Sequence, residues 1–208
     1  MKDTHYKNIK IRSLPGIHGE VFNLITKFLP ERKIRILDFG CGPGALSQRL
    51  KDAGYTHILS VDWDSDQFMA STKFRRIDFN DEEQMRNFSM MHKNKFDIAI
   101  SVEVIEHLKN PWLYVETMKN VIKKGRYILI TTPNISSWFS RLNFLLEGRP
   151  RRFAKENFRR DGHITPVSLW QIRNMFNEFG LTTVRVRTYE GNSLFYFPSI
   201  KYKWIAAN

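Results

Sequence analysis

The segment ILDFGCGPGAL, residues 36–46, decides how the rest of the chain reads. A short apolar run reaches Gly40, Gly42 and Gly44, and small and apolar residues resume after them. That order predicts a buried strand, a tight turn and a helix. Glycines at alternate positions let the backbone turn sharply and approach a ligand closely, and the helix start beyond offers unpaired amide donors. Such a loop alone does not name its ligand, because dinucleotide enzymes use a similar one. Here GCGPG departs from the G-x-G-x-x-G spacing, Pro43 sits inside the loop, and Asp38 lies two residues before the first glycine.

Working outward, the chain alternates strand and helix. GIHGEVFNLITKFLP (16–30) places Val21, Leu24, Ile25 and Phe28 on one helical face, and Pro30 closes it. After the glycine loop, LSQRLKDAG (46–54) reads as a helix stopped by Gly54. ILSVDWD (58–64) is a second strand, a short helix is expected around 65–72, and FRRIDFN (74–80) is a third strand. EEQMRNFSMMHKN (82–94) is helical, FDIAISV (96–102) a fourth strand, WLYVETMKNVIKKG (112–125) a helix and RYILITTPN (126–134) a fifth strand. Residues 165–180 form a helix with Pro166 near its first turn and Gly180 as its stop; strands follow at 181–190 and 201–208. This alternation predicts an α/β fold with a mostly parallel sheet covered by helices on both faces. Right-handed crossovers then bring the strand C-termini to one edge. DFGCGPG, VDWD, DFND and SVEVIEH all fall there.

The 208 residues suit one domain with a sizeable core. No run approaches the roughly 20 apolar residues that span a bilayer, and MKDTHYKNIKIRS lacks the apolar core of a signal peptide. Cys41 is the single cysteine, so no intramolecular disulfide forms and a reducing cytoplasm is the expected compartment. The net charge of +12 favours an anionic partner: nucleic acid, a phosphorylated metabolite or an acidic membrane surface.

DFGCGPG, then VDWD, then DFND, then EVIEHLKNP, in that order over about residues 30–190, resembles the class I S-adenosylmethionine-dependent methyltransferases. The likeness is strongest to the small-molecule group that includes the ubiquinone-pathway O-methyltransferases. It implies a Rossmann-like seven-stranded sheet with a reversed last strand; the chain's length and pattern read as a single domain over 1–208, with residues 1–15 as an arm. It also implies roles. Asp38, Gly40, Cys41, Gly42 and Gly44 would surround the amino-acid end of S-adenosyl-L-methionine. Asp62 would bind the ribose hydroxyls, with Trp63 near the adenine. Asp78 would reach the adenine amino group, Phe79 would lie beside the ring, and Val102 would line the cofactor from the fourth strand.

EVIEH supports three readings. Its charges cap the next helix; or Glu103, Glu106 and His107 share one helical face and hold a divalent metal ion with His163 as fourth ligand; or His107 or His163 acts as general base, with Glu103 beside the reacting groups. A metal there would lower the pKa of a hydroxyl acceptor. The likeness supports the metal reading, since small-RNA 2′-O-methyltransferases carry a similar Glu-x-x-Glu-His arrangement. His5, His18, His57 and His92 look incidental.

Residues 134–162 break the alternation with aromatics and seven basic residues, Arg141, Arg149, Arg151, Arg152, Lys155, Arg159 and Arg160. Trp138, Phe139, Leu142 and Leu145 or Leu146 fall near one helical face, which reads as a core-packing helix, as an acceptor lid, or as a segment lying on a membrane surface with its arginines toward phosphates. The leading expectation is O-methylation of a small anionic or lipid-linked acceptor, in the cytoplasm or peripherally at a membrane. The rivals are RNA 2′-O-methylation and a non-catalytic regulatory partner.

Overall fold

The computed structural model describes residues 4–189 with their side chains and the backbone of 193–200. A two-stranded hairpin, β1 (His5–Tyr6) and β2 (Ile9–Lys10), precedes helix α1 (Ile17–Phe28). Then come β3 (Arg35–Phe39), α2 (Ala45–Asp52), β4 (His57–Asp62), β5 (Lys73–Arg76), α3 (Glu82–Met91) and β6 (Phe96–Val102). They are followed by α4 (Pro111–Val121), β7 (Ile122–Pro133), α5 (Trp138–Glu147), α6 (Leu169–Glu178), β8 (Leu181–Tyr189) and β9 (Ser193–Ile200).

The sheet runs β5-β4-β3-β6-β7-β9-β8. The first five of these strands are parallel, and β9 runs antiparallel to both β7 and β8. The strand read at 201–208 lies outside the described residues; the strand beside β8 is β9. Side chains alternate between the two faces, as the period of two requires. Ile98, Ile100 and Val102 of β6 join α1 and α2 in one apolar layer. Ala99 faces the other layer, where Phe39, Phe79, Phe88, Tyr114 and Phe176 pack.

Four local expectations change. Phe28 closes α1 but is exposed, while Val21, Leu24 and Ile25 are buried. No helix forms at 65–72: Asp64 Oδ1 accepts the Asp66 amide, Phe68 N–H donates to Ser65 O, and Met69 N–H donates to Pro43 O. The short aspartate side chain competes for backbone donors and favours turns over helix. Helix α4 stops at Val121 and β7 starts at once, because buried Asp97 gathers Lys123 at 2.9 Å, Arg126 at 3.3 Å and the Arg35 amide at 2.8 Å. The register jumps there from Phe96↔Ile122 to Ile98↔Tyr127. Finally, α6 begins at Leu169, three residues beyond Pro166, where Ser168 and Gln171 form a reciprocal capping box.

Candidate active site

The three loop glycines do different work. Gly40 has φ +91°, and a Cβ there would lie 2.3 Å from Val104 Cγ2. Gly44, at φ +90°, would meet Ala70 Cβ at 2.6 Å and Phe68 Cε2 at 2.7 Å. Both are packing glycines. Gly42 has φ +52°, and the nearest atom to its missing Cβ is Arg12 Cδ at 3.9 Å, so its outer side is open. Asp62 braces this turn: Oδ2 accepts the Gly42 amide at 2.8 Å and Oδ1 the Asp64 amide at 3.3 Å. Each carboxylate oxygen keeps acceptor capacity for a further donor.

Asp38 lies beneath the loop, not on its open side. Ser47 Oγ–H donates to it at 2.6 Å, and Ser47 in turn meets Ser60 at 2.7 Å. Burial, with the nearby Asp62 charge, pushes its carboxyl up to about 6. The Cys41 thiol is likewise pushed up by burial and by the two aspartates, which disfavours a thiolate.

Past β4 and β5, a cleft of about 630 Å³ is lined by Trp63, Arg76, Asp78, Asn80 and Gln84. That is the size of an ordinary small-molecule site. Trp63 is exposed, and its carbonyl accepts Arg76 Nε–H at 3.0 Å. Trp63 and Asp78 therefore share one cleft. Phe79 does not: it is buried, 4.6 Å from the Phe39 ring and 5.5 Å from the Tyr114 ring. Val102 is buried at the end of β6.

EVIEH is not a full helical turn. Only Ile105–His107 form a 3-10 turn, and Glu103 sits before it at φ +54°. This left-handed backbone, uncommon for a non-glycine residue, is held by Thr131. Its carbonyl and hydroxyl oxygens accept the Glu103 amide at 3.1 and 3.0 Å, and its hydroxyl donates to Glu103 Oε1 at 3.1 Å. Glu103 thus turns toward β7. The residues whose ligand atoms converge, within 4.8 Å of one another, are Glu106, His107 and His163.

Glu106 is fully buried. Thr132 Oγ1–H donates to Oε2 at 3.2 Å, while buried Oε1 has no hydrogen-bond partner. Burial, then the Glu103 charge, holds this carboxyl well above the usual carboxylate range. His107 Nδ1–H donates to Gly162 O at 3.1 Å and His163 Nδ1–H to Arg152 O at 2.8 Å, since a carbonyl only accepts. His163 is thereby left with Nε2 as its basic nitrogen. Burial and the His163 neighbour lower the His107 pKa. An orphaned carboxylate oxygen beside two imidazoles fits a borderline divalent cation.

A family model described as a methyltransferase domain matches residues 16–186. The chain belongs to this family. Among curated proteins, this methyltransferase domain is 25% identical over 131 residues to a mitochondrial ubiquinone biosynthesis O-methyltransferase of Dictyostelium discoideum, covering 57% of the chain and 41% of the relative. It is 28% identical over 108 residues to the ubiquinone biosynthesis O-methyltransferase of Glaesserella parasuis, covering 48% and 45%. The chain thus spans less than half the length of these relatives. Among solved structures, an S-adenosylmethionine-dependent methyltransferase from Archaeoglobus fulgidus superposes with a TM-score of 0.60 at 19% identity, over 83% of this chain and 72% of the other. That likeness concerns the fold.

Three contributors escape a reading of the sequence. Thr131 and Thr132, in the ITTPN end of β7, reach the site because Val102 pairs with Thr131. Two adjacent threonines at a parallel strand's C-terminal end were the available signal. Arg152 enters through its carbonyl, at φ +71°, and no pattern in RPRRF marks it.

Proposed function

We propose that the chain is an S-adenosylmethionine-dependent methyltransferase that methylates an oxygen of a small acceptor. One observation carries this: the open glycine turn braced by Asp62, the Trp63–Asp78 cleft and the Glu106–His107–His163 cluster all occupy the C-terminal edge of one parallel sheet. The order of the sheet, with β9 reversed between β7 and β8, supports the seven-stranded form of this fold.

When bound, S-adenosylmethionine supplies a methyl group on an activated sulfonium leaving group, for in-line displacement. The chain's work is therefore positioning and exclusion of water. Gly42 admits the ligand backbone-close, Asp62 accepts from ribose hydroxyls, and Trp63 and Asp78 face the adenine. Asp38 and Gly40 act one layer back, by shaping the loop, while Val102 and Phe79 belong to the two apolar layers behind it. On the acceptor side, Glu106, His107 and His163 would hold a divalent cation that lowers the pKa of the acceptor hydroxyl. Glu103 is then a positioning residue tied to β7.

The acceptor is anionic or lipid-linked in this reading. Helix α5 buries only Ser140. Trp138 and Leu145 are 72% and 80% exposed, and Phe139, Phe144 and Leu146 are exposed too, so the helix is not core packing. Ser140 Oγ accepts the Arg151 amide, which folds the basic run back over α5. An apolar helix beside clustered arginines suits an anionic lipid surface, so residues 134–162 are read as the acceptor side. No described helix is long and apolar enough to cross a membrane.

The test is methyl-labelled S-adenosylmethionine with cell extract, partitioned into lipid, polar-metabolite and RNA fractions, with and without EDTA. Label in lipid or metabolite is expected, and EDTA abolishes it. Label in RNA alone, or none in any fraction, would overturn the reading.

A further inference from the structure

A second cavity, of about 410 Å³, lies at the outer edge of the sheet, where methyl transfer gives it no use. It is lined by Arg75 and Arg76 of β5 and by Gln84, Asn87, Met90 and Met91 of α3. β5 is the end strand of the sheet and pairs only with β4. Gln84, Asn87 and Met91 recur at i, i+3 and i+7, so they share one face of α3, while Met85 and Phe88 point into the core. We propose that this cavity binds a small organic phosphate, held by the Arg75 and Arg76 guanidinium groups with its apolar part on the methionines.

The charge of the lining decides the class of ligand: two guanidinium groups and no carboxylate. Neutral partners orient both. Arg75 is half-buried and lies over the Phe88 ring, 5.7 Å from its centre. Its Nη1 donates to His92 Nε2 at 3.3 Å, and its Nη2 reaches Met91 Sδ at 3.8 Å. A guanidinium cannot accept, so His92 Nε2 is the acceptor. Burial, with the Lys95 and Arg75 charges, lowers the His92 pKa and keeps that ring neutral. Arg76 Nε–H donates to the Trp63 carbonyl at 3.0 Å, which leaves its outer N–H groups for a ligand. Among the described residues, neither arginine pairs with an acid.

A planar fork of N–H donors matches phosphate oxygens, and two such forks match a double negative charge. Asn87 adds an amide donor. Thioethers are adaptable apolar contacts that favour an aromatic ring, so the fit is to an organic phosphate rather than to the bare ion. The volume is that of a small-molecule site. Arg76 and Gln84 also line the Trp63–Asp78 cleft, so the two cavities share one wall; the methionines belong to the outer cavity alone.

Isothermal titration with phenyl phosphate, with and without saturating S-adenosylhomocysteine, tests this. One saturable site is expected in both conditions. Arg75→Gln should weaken phenyl phosphate roughly 10- to 100-fold, the range for a lost hydrogen bond to a charged group. Met90→Gln should weaken it roughly 2- to 10-fold, as for a lost sulfur–ring contact, and leave inorganic phosphate unchanged. Met90 is exposed, so this second variant keeps its fold even where Arg75→Gln does not. Lys93→Ala removes an exposed charge outside the cavity and should match wild type. Equal losses in Lys93→Ala and Arg75→Gln would reduce the effect to attraction by a basic surface and overturn the proposal. So would the lack of a saturable site, or unchanged affinity in both cavity variants. Displacement of phenyl phosphate by S-adenosylhomocysteine would also overturn it, by putting the probe in the Trp63–Asp78 cleft.

Discussion

Two buried groups titrate in opposite senses, and Asp38→Asn should separate them. Asp38 is raised from 3.8 to about 6 by burial, so the folded state prefers it protonated. That contribution is fully present below pH 3.8 and is lost as pH rises through 6. At about 1.4 kcal/mol per unit it amounts to about 3 kcal/mol. His18 runs the other way. It is buried, its Nδ1 has no partner, and burial with the Arg49 charge lowers it from 6.5 to about 4. Its contribution is present above pH 6.5 and is lost as pH falls through 4, again about 3 kcal/mol. The two windows overlap, so across pH 4–6.5 the wild type nearly cancels them. Asparagine can still accept from Ser47 but cannot ionise. The variant should therefore gain stability steeply from pH 4 to 6.5, by up to about 3 kcal/mol relative to the wild-type curve. Urea unfolding of both proteins at half-unit pH steps gives the difference curve, in which every other titration drops out. A flat difference curve would refute the buried, raised Asp38 on which the estimate stands.

Three further outcomes follow from the geometry. Gly40→Ala places a methyl 2.3 Å from Val104 and forces φ +91° on an L residue, so unfolding free energy should fall by at least about 1–2 kcal/mol in urea titrations. Glu106→Gln removes the orphaned carboxylate oxygen of the three-residue cluster, so manganese or cobalt titration should lose its saturable site while S-adenosylhomocysteine still binds; equal metal affinity in the variant would remove the cluster from consideration. Replacing Trp138 and Leu145 together by serine should abolish sedimentation with vesicles rich in anionic lipid and leave thermal stability within about 0.5 kcal/mol, since both side chains are exposed.

The mostly parallel α/β arrangement was legible because each signal is local. Apolar runs ending in glycine or aspartate mark strand ends, and short connections force the crossovers. The positions of the glycine turn, Asp62, Trp63 and Asp78 were legible for the same reason, since each lies at or within two residues of a strand's C-terminal end. What escaped was non-local. Phe79 was expected beside a ligand, but in the turn after β5 it packs into the Phe39–Tyr114 cluster. Glu103 was grouped with Glu106 and His107 by helical spacing, whereas Thr131, 28 residues away, turns its backbone left-handed. The start of β7 at Ile122 depends on Asp97 gathering two charges from β7 and a backbone amide from β3. Solvent exposure of α5 is equally invisible to periodicity, which shows that a helix has an apolar face but not that anything covers it.

The placement of β9 has a kinetic consequence. β8 precedes β9 in the chain, yet β9 stands between β8 and the rest of the sheet. β8 therefore has no strand to join until residues 193–200 have been synthesised and inserted. Until then the outer edge of β7, with Ile130 to Pro133 unpaired, is a template for wrong partners. Sheet completion is thus a late and long-range event, and a nascent or truncated chain ending near residue 190 should depend on chaperones far more than its packed parallel half would suggest.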